Sequence, residues 1–147
     1  MKFPLFLSAF ALTFIQPILA TTLDYLPAIP LVGDLIAEYE KLNDACKNGG
    51  PSVYVGVHYE GIEEPITFEY DECYPYKIDG HFAKQAVFCR VAYCFDTISE
   101  SEGECGGLSL PPVTVPVGPP ETLVNVGHFA NAVGDGAICY KDLKIAL

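Results

Sequence analysis

Apolar positions recur at helical spacing in one early stretch. Leu35, Ile36, Tyr39, Leu42 and Cys46 share a face behind Gly33-Asp34, and Asn48-Gly49-Gly50-Pro51 ends the run. The pattern predicts a single amphipathic helix that covers a sheet, with Asp34 capping its first turn and Cys46 stapling its far end. From Ser52 onward the period changes to two. Val53, Val55 and Val57 alternate with Tyr54, Gly56 and His58, and Ile66, Phe68 and Tyr70 alternate with Thr67, Glu69 and Asp71. Glu60-Gly61 marks the turn between these strands. Pro75 lacks the N–H that a ladder requires, so the Cys73-Tyr74 end belongs at an edge or a bend.

Ala86 to Phe95 is a nearly continuous apolar run interrupted by Arg90, which predicts one central strand. In such a strand Cys89 and Cys94, five positions apart, would face opposite sides. A return strand is expected near Gly106 and Leu108. Pro111, Pro112, Pro116, Pro119 and Pro120 then stiffen an extended connection at an edge. Leu123 to Ala132 and Gly136 to Tyr140 complete the sheet around the Gly134-Asp135-Gly136 turn. Gly80-His81-Phe82-Ala83 recurs as Gly127-His128-Phe129-Ala130, each copy followed by an apolar segment that ends at Cys89 or Cys139. The two copies are expected to be equivalent strands. The predicted fold is therefore mainly β: a disulfide-stapled antiparallel β-sandwich with one N-terminal helix, to which the resemblance given below adds a Greek-key-like order.

The first residues change where such a fold would work. Lys2, the apolar stretch from Leu5 to Ile15, and Pro17-Ile18-Leu19-Ala20 have the layout of a secretory leader cut after Ala20. The apolar stretch is shorter than the roughly 20 residues of a membrane span. The expected organisation is a signal peptide over 1–20, an extended arm over 21–33, and a single disulfide-bonded domain over 34–147. The product is expected to be secreted, extracellular and without stable membrane insertion.

The whole chain carries a formal charge of −11, and loss of Lys2 with the leader makes it one unit more negative. Such a surface opposes nucleic acid and anionic lipid, whose phosphates need clustered Lys and Arg.

Six cysteines follow the leader: Cys46, Cys73, Cys89, Cys94, Cys105 and Cys139. An even count in a secreted chain implies three disulfides and no free thiol. The expected pairs are Cys94–Cys105 across the acidic turn, Cys89–Cys139 between the repeated units, and Cys46–Cys73 from helix to sheet. No C-x2-C pair points to zinc, and oxidised cysteines offer no thiolate nucleophile. No G-x-S-x-G elbow surrounds a serine. Glu63-Glu64 and Asp71-Glu72 are carboxylate neighbours of the kind glycosidases use, yet they carry little information in so acidic a chain. His81 and His128 are read as bonding backbone carbonyls where a strand bends. No cofactor and no metal are expected.

Recognition is expected on loops at the end of a rigid β scaffold. The exposed candidates are Asp96 to Glu104, where Asp96, Glu100, Glu102 and Glu104 suit a basic partner, and Asp71 to Asp79, where Tyr74 and Tyr76 can anchor a contact.

The order Cys89-x-Val91-x-Tyr93, then Glu104-Cys105-Gly106-Gly107, then Leu123, Gly127-x-Phe129-Ala130-Asn131 and Cys139 resembles small secreted fungal proteins with a βγ-crystallin-like Greek key. No calcium signature precedes Cys139, so calcium binding is not implied. Size, leader and cysteines resemble the cysteine-rich effectors of plant-colonising fungi. The resemblance implies a non-enzymatic virulence or avirulence effector that acts on a host protein. The alternative is a small secreted hydrolase or a killer-toxin-like antimicrobial protein.

Overall fold

The computed structural model describes residues 28–98, 105, 108–109, 113–115, 122–126 and 135–142. The expected leader, the second Gly-His-Phe-Ala copy with His128, and Glu100, Glu102 and Glu104 lie outside the described residues.

Two antiparallel sheets and one helix form the described chain, with strands numbered in sequence order. The first sheet runs β1 (Ala28–Ile29), β10 (Leu123–Asn125), β6 (His81–Phe88), β2 (Val53–Tyr59) and β3 (Ile66–Glu69), and β5 (Lys77–Ile78) also pairs with β6. The second runs β4 (Cys73–Pro75), β11 (Gly136–Tyr140), β7 (Ala92–Ile98) and β8 (Leu108–Ser109), with β9 (Val113–Val115) also on β7. Pro75 lies on an edge strand, where its missing N–H costs no ladder bond. The expected mainly β, disulfide-stapled architecture with one N-terminal helix is the one observed.

Helix α1 (Asp34–Asn48) covers the outer face of the first sheet. Gly33 occupies the N-cap without a side-chain bond. The expected cap at Asp34 is therefore corrected: Asp34 stands inside the first turn, where its charge faces the positive end of the helix dipole. Tyr39 and Leu42 pack with Val87 of β6 and Leu123 of β10, while Ile29, Leu31 and Leu35 close the margin. The helix approaches closely because β2 carries Gly56 beneath it; a Cβ there would strike the Leu42 carbonyl. Ile36, expected on the buried face, is 46% exposed. The stripe Leu35-Tyr39-Leu42-Cys46 already fills the contact, and Ile36 falls on its flank.

Between the sheets lies a second core of Val55, Val57, Tyr59, Phe68, Ala86, Val124, Ala137 and their neighbours. Two irregularities in β2 pairing decide what enters it. The register shifts between Val53 and Val55, which lets Tyr54 join Val55 inside. A further shift between His58 and Tyr59 sets Ala83 opposite Tyr59, so Ala83 and Ala86 both face the core.

The single strand expected over Ala86–Phe95 is two strands in different sheets. The chain turns at Cys89-Arg90-Val91, where Arg90 Nη1 donates to the Val53 carbonyl and Tyr70 Oη donates to the Val91 carbonyl at 2.6 Å. These side chains satisfy the backbone that the corner takes out of the ladders. The strand equivalence expected of the repeat falls on a second copy outside the described residues, and only the segments that follow the two copies can be placed. Ala86–Phe88 belongs to the first sheet and Ala137–Cys139 to the second.

The disulfides are Cys46–Cys89, Cys73–Cys105 and Cys94–Cys139. None of the three expected pairs forms. Cys94 and Cys139 stand directly opposite on β7 and β11, with Cα atoms 4.0 Å apart, which excludes Cys94–Cys105 and Cys89–Cys139 together. Cys89 follows Val87 on the helix side of its sheet and so meets Cys46. Cys73 shares a row with Ile138 and Phe95 on the outer face of the second sheet, where Cys105 reaches it.

Candidate functional site

Of the residues expected to form an exposed contact surface, the structure takes Tyr74, Tyr76 and Asp96 inside. Tyr74 is 2% exposed, Tyr76 5% and Asp96 3%. As an external platform they are corrected. The physical reason is strand parity. Tyr74, Ala137 and Asp96 form one cross-strand row, and that row faces the sandwich interior. The turn-like composition around Tyr74 and Tyr76 hid an edge strand whose alternate residues point inward.

Inside, the three make a polar cluster. Tyr76 Oη donates to Asp96 Oδ1. Tyr59 Oη, from the first sheet, donates to the Pro75 carbonyl of the second and so ties the layers together. Phe68 stacks on Tyr74 at 4.9 Å, and Tyr74 meets Tyr76 edge-on at 5.4 Å. Burial pushes the Tyr54, Tyr59, Tyr74 and Tyr76 phenols far above their ordinary range, so each stays neutral. Burial also raises the Asp96 carboxyl, and the hydrogen bond from Tyr76 partly offsets the rise.

The acidic stretch at 99–104 is strung between two described anchors. Before it stands Ile98, the last residue of β7, whose neighbour Thr97 accepts from the Asp135 amide at 2.8 Å. After it comes Cys105, bound to Cys73, with its sulfur 3.4 Å from the Ala137 carbonyl. The Tyr76 amide donates to the Asp135 carbonyl at 2.9 Å, which fastens the same end of the sheet from the other side. Exposed Asp135 and Ile98 are the described surface residues next to this stretch. Tyr76 therefore sits behind that surface and braces it.

The other candidates separate. His81 Nδ1 lies 2.7 Å from the Glu60 carbonyl, the backbone bond expected of it. Glu63-Glu64 and Asp71-Glu72 are exposed and flank β3 at opposite ends. Among the described residues no group of three or more His, Cys, Asp or Glu side chains is gathered for a metal ion. One contact escaped the sequence reading. His58 Nδ1 stands 2.5 Å from Glu38 Oε1, joining helix to sheet at the exposed end of the Gly56 contact. Period-two alternation put His58 on the face opposite Val57, which was the only signal for it.

The geometry defines a small cysteine-rich β protein of two antiparallel sheets held by three disulfides. The disulfides suggest an oxidising, extracellular environment, and no helix among the described residues is long and apolar enough to cross a membrane. Comparison with family models, with curated proteins and with solved structures finds no match.

Proposed function

We propose that this is a secreted interaction protein of the effector type, non-enzymatic, which engages a basic surface of a host protein through the acidic stretch carrying Glu100, Glu102 and Glu104. The observation that supports this reading most is the anchoring of that stretch. One end leaves a hydrogen-bonded strand and the other enters a disulfide, so a charged segment is mounted on a rigid support. The chain's charge of −11 favours a cationic partner and steers its approach. The resemblance to fungal effectors with a βγ-crystallin-like layout supplies the class of partner.

Replacing Glu100, Glu102 and Glu104 by Lys tests the reading on protein shown to be folded. Stability should change by less than about 0.5 kcal/mol, because the substitutions leave every described core residue unaltered. Capture of a host protein from plant extract should fall, chiefly through slower association, and the wild-type association rate should drop steeply with salt. Unchanged capture removes the stretch from the interface. Turnover of a wall polysaccharide or a protein substrate by the wild type overturns the non-enzymatic reading in favour of a hydrolase or toxin.

A further inference from the structure

Asp96 is an unusual occupant of a sandwich interior. It lies on the inward row of β7 and is 3% exposed, and Oδ1 accepts from Tyr76 Oη. Among the described residues Oδ2 has no hydrogen-bond partner. The groups around it are neutral. Ala137 stands opposite on β11, and Tyr74 and Tyr76 face it from β4 and its continuation. Behind them, Tyr54 and Tyr59 of β2 belong to the same buried core. No cation among the described residues acts on Asp96.

A buried carboxylate with one donor and no counter-charge is expensive to ionise, whereas the neutral acid fits an apolar site at small cost. We infer that Asp96 is an acid-keyed lock on the inner face of the second sheet, closed when its carboxyl is protonated and loosened when rising pH puts a charge there. A lock of this kind makes the fold tighter at pH below the ordinary aspartate value than above the window. Its position makes the effect specific. The row Tyr74-Ala137-Asp96 joins β4, β11 and β7, and Tyr76 ties that row to the strand end from which the acidic stretch departs.

The direction follows from where each state holds its proton. Burial raises the folded carboxyl above the ordinary 3.8, while the unfolded chain keeps the ordinary value. As pH rises past that value the unfolded state ionises first, so stability falls. The fall stops once the folded carboxyl has also ionised. Below the ordinary aspartate range the contribution is fully present.

The test compares wild type with Asp96→Asn, which keeps the acceptor for Tyr76 and removes the titration. Denaturant unfolding is measured from acid to neutral pH. Relative to Asp96→Asn, the wild-type unfolding constant should rise by about tenfold per pH unit inside the window and stay level above it. Parallel profiles for the two proteins overturn the lock. Tyr76→Phe gives a second, signed readout. It removes the donor that favours the charged form, so the window should extend to higher pH; no extension, or a retreat to lower pH, overturns the assignment. Should Asp96→Asn not fold, the wild type alone decides by infrared titration. One carboxyl band must disappear at higher pH than the bulk of the acids, and its absence counts against the lock.

Discussion

The two sheets of this molecule are built alike and held differently. The first has an apolar layer on each face, with the sandwich core inside and helix α1 outside, seated through Tyr39 and Leu42 over Gly56. Its one disulfide, Cys46–Cys89, fastens the helix rather than the strands. The second sheet turns Tyr74, Ala92, Ala137 and the Asp96 carboxyl toward that same core, with Cys94–Cys139 inside and Cys73–Cys105 outside. Where burial supplies enough, a single staple at the rim suffices. Where short strands enclose polar groups, cross-links take over, and the acidic stretch is attached to that cross-linked side.

Breaking the covalent side should have the largest effect. Cys94→Ala with Cys139→Ala, set against Cys46→Ala with Cys89→Ala, removes bonds of nearly equal sequence separation, 45 and 43 residues. Chain entropy alone predicts about 4 kcal/mol for either. The Cys94–Cys139 variant should lose more, approaching about 5 kcal/mol, because both of its cysteines are buried in the core, whereas Cys46 is buried and Cys89 only half-buried. The Cys46–Cys89 variant should keep its helix docked, as amide exchange would show. Equal losses with helix release in the second variant would contradict the division. A smaller effect tests the apolar side: Leu42→Ala should cost about 3 kcal/mol by denaturant unfolding. Ile36→Ser, on the exposed flank, should stay within about 0.5 kcal/mol.

The same contrast governs what the sequence made legible. Helix α1 and strands β2, β3 and β11 were readable, because each carries one clean period and ordinary stop signals. The turn at Glu60-Gly61 and the backbone role of His81 were readable from local chemistry. The passage from the first sheet to the second at Arg90 was not, because both strands it joins are apolar and the run looks unbroken. With that corner hidden, Cys89 and Cys94 read as members of one strand, and none of the pairings expected on that basis forms. Tyr74, Tyr76 and Asp96 looked like surface because polar residues bordered them. Their burial depends on one another, through the Tyr76–Asp96 bond, and composition does not record a partner 20 positions away. Gly56 read as an alternation slot, and only the helix above it explains the missing side chain.

Disulfide mapping under non-reducing conditions tests the layered account most directly. Trypsin with a glutamate-specific protease puts each of the six cysteines on its own peptide, since cleavage sites separate all of them. The account predicts three linked pairs, Cys46–Cys89, Cys73–Cys105 and Cys94–Cys139, with Cys105 joined across the outer face of the second sheet. A Cys94–Cys105 peptide would contradict it, because the acidic stretch would then close a hairpin on its own strand and the second sheet would lose both its cross-links.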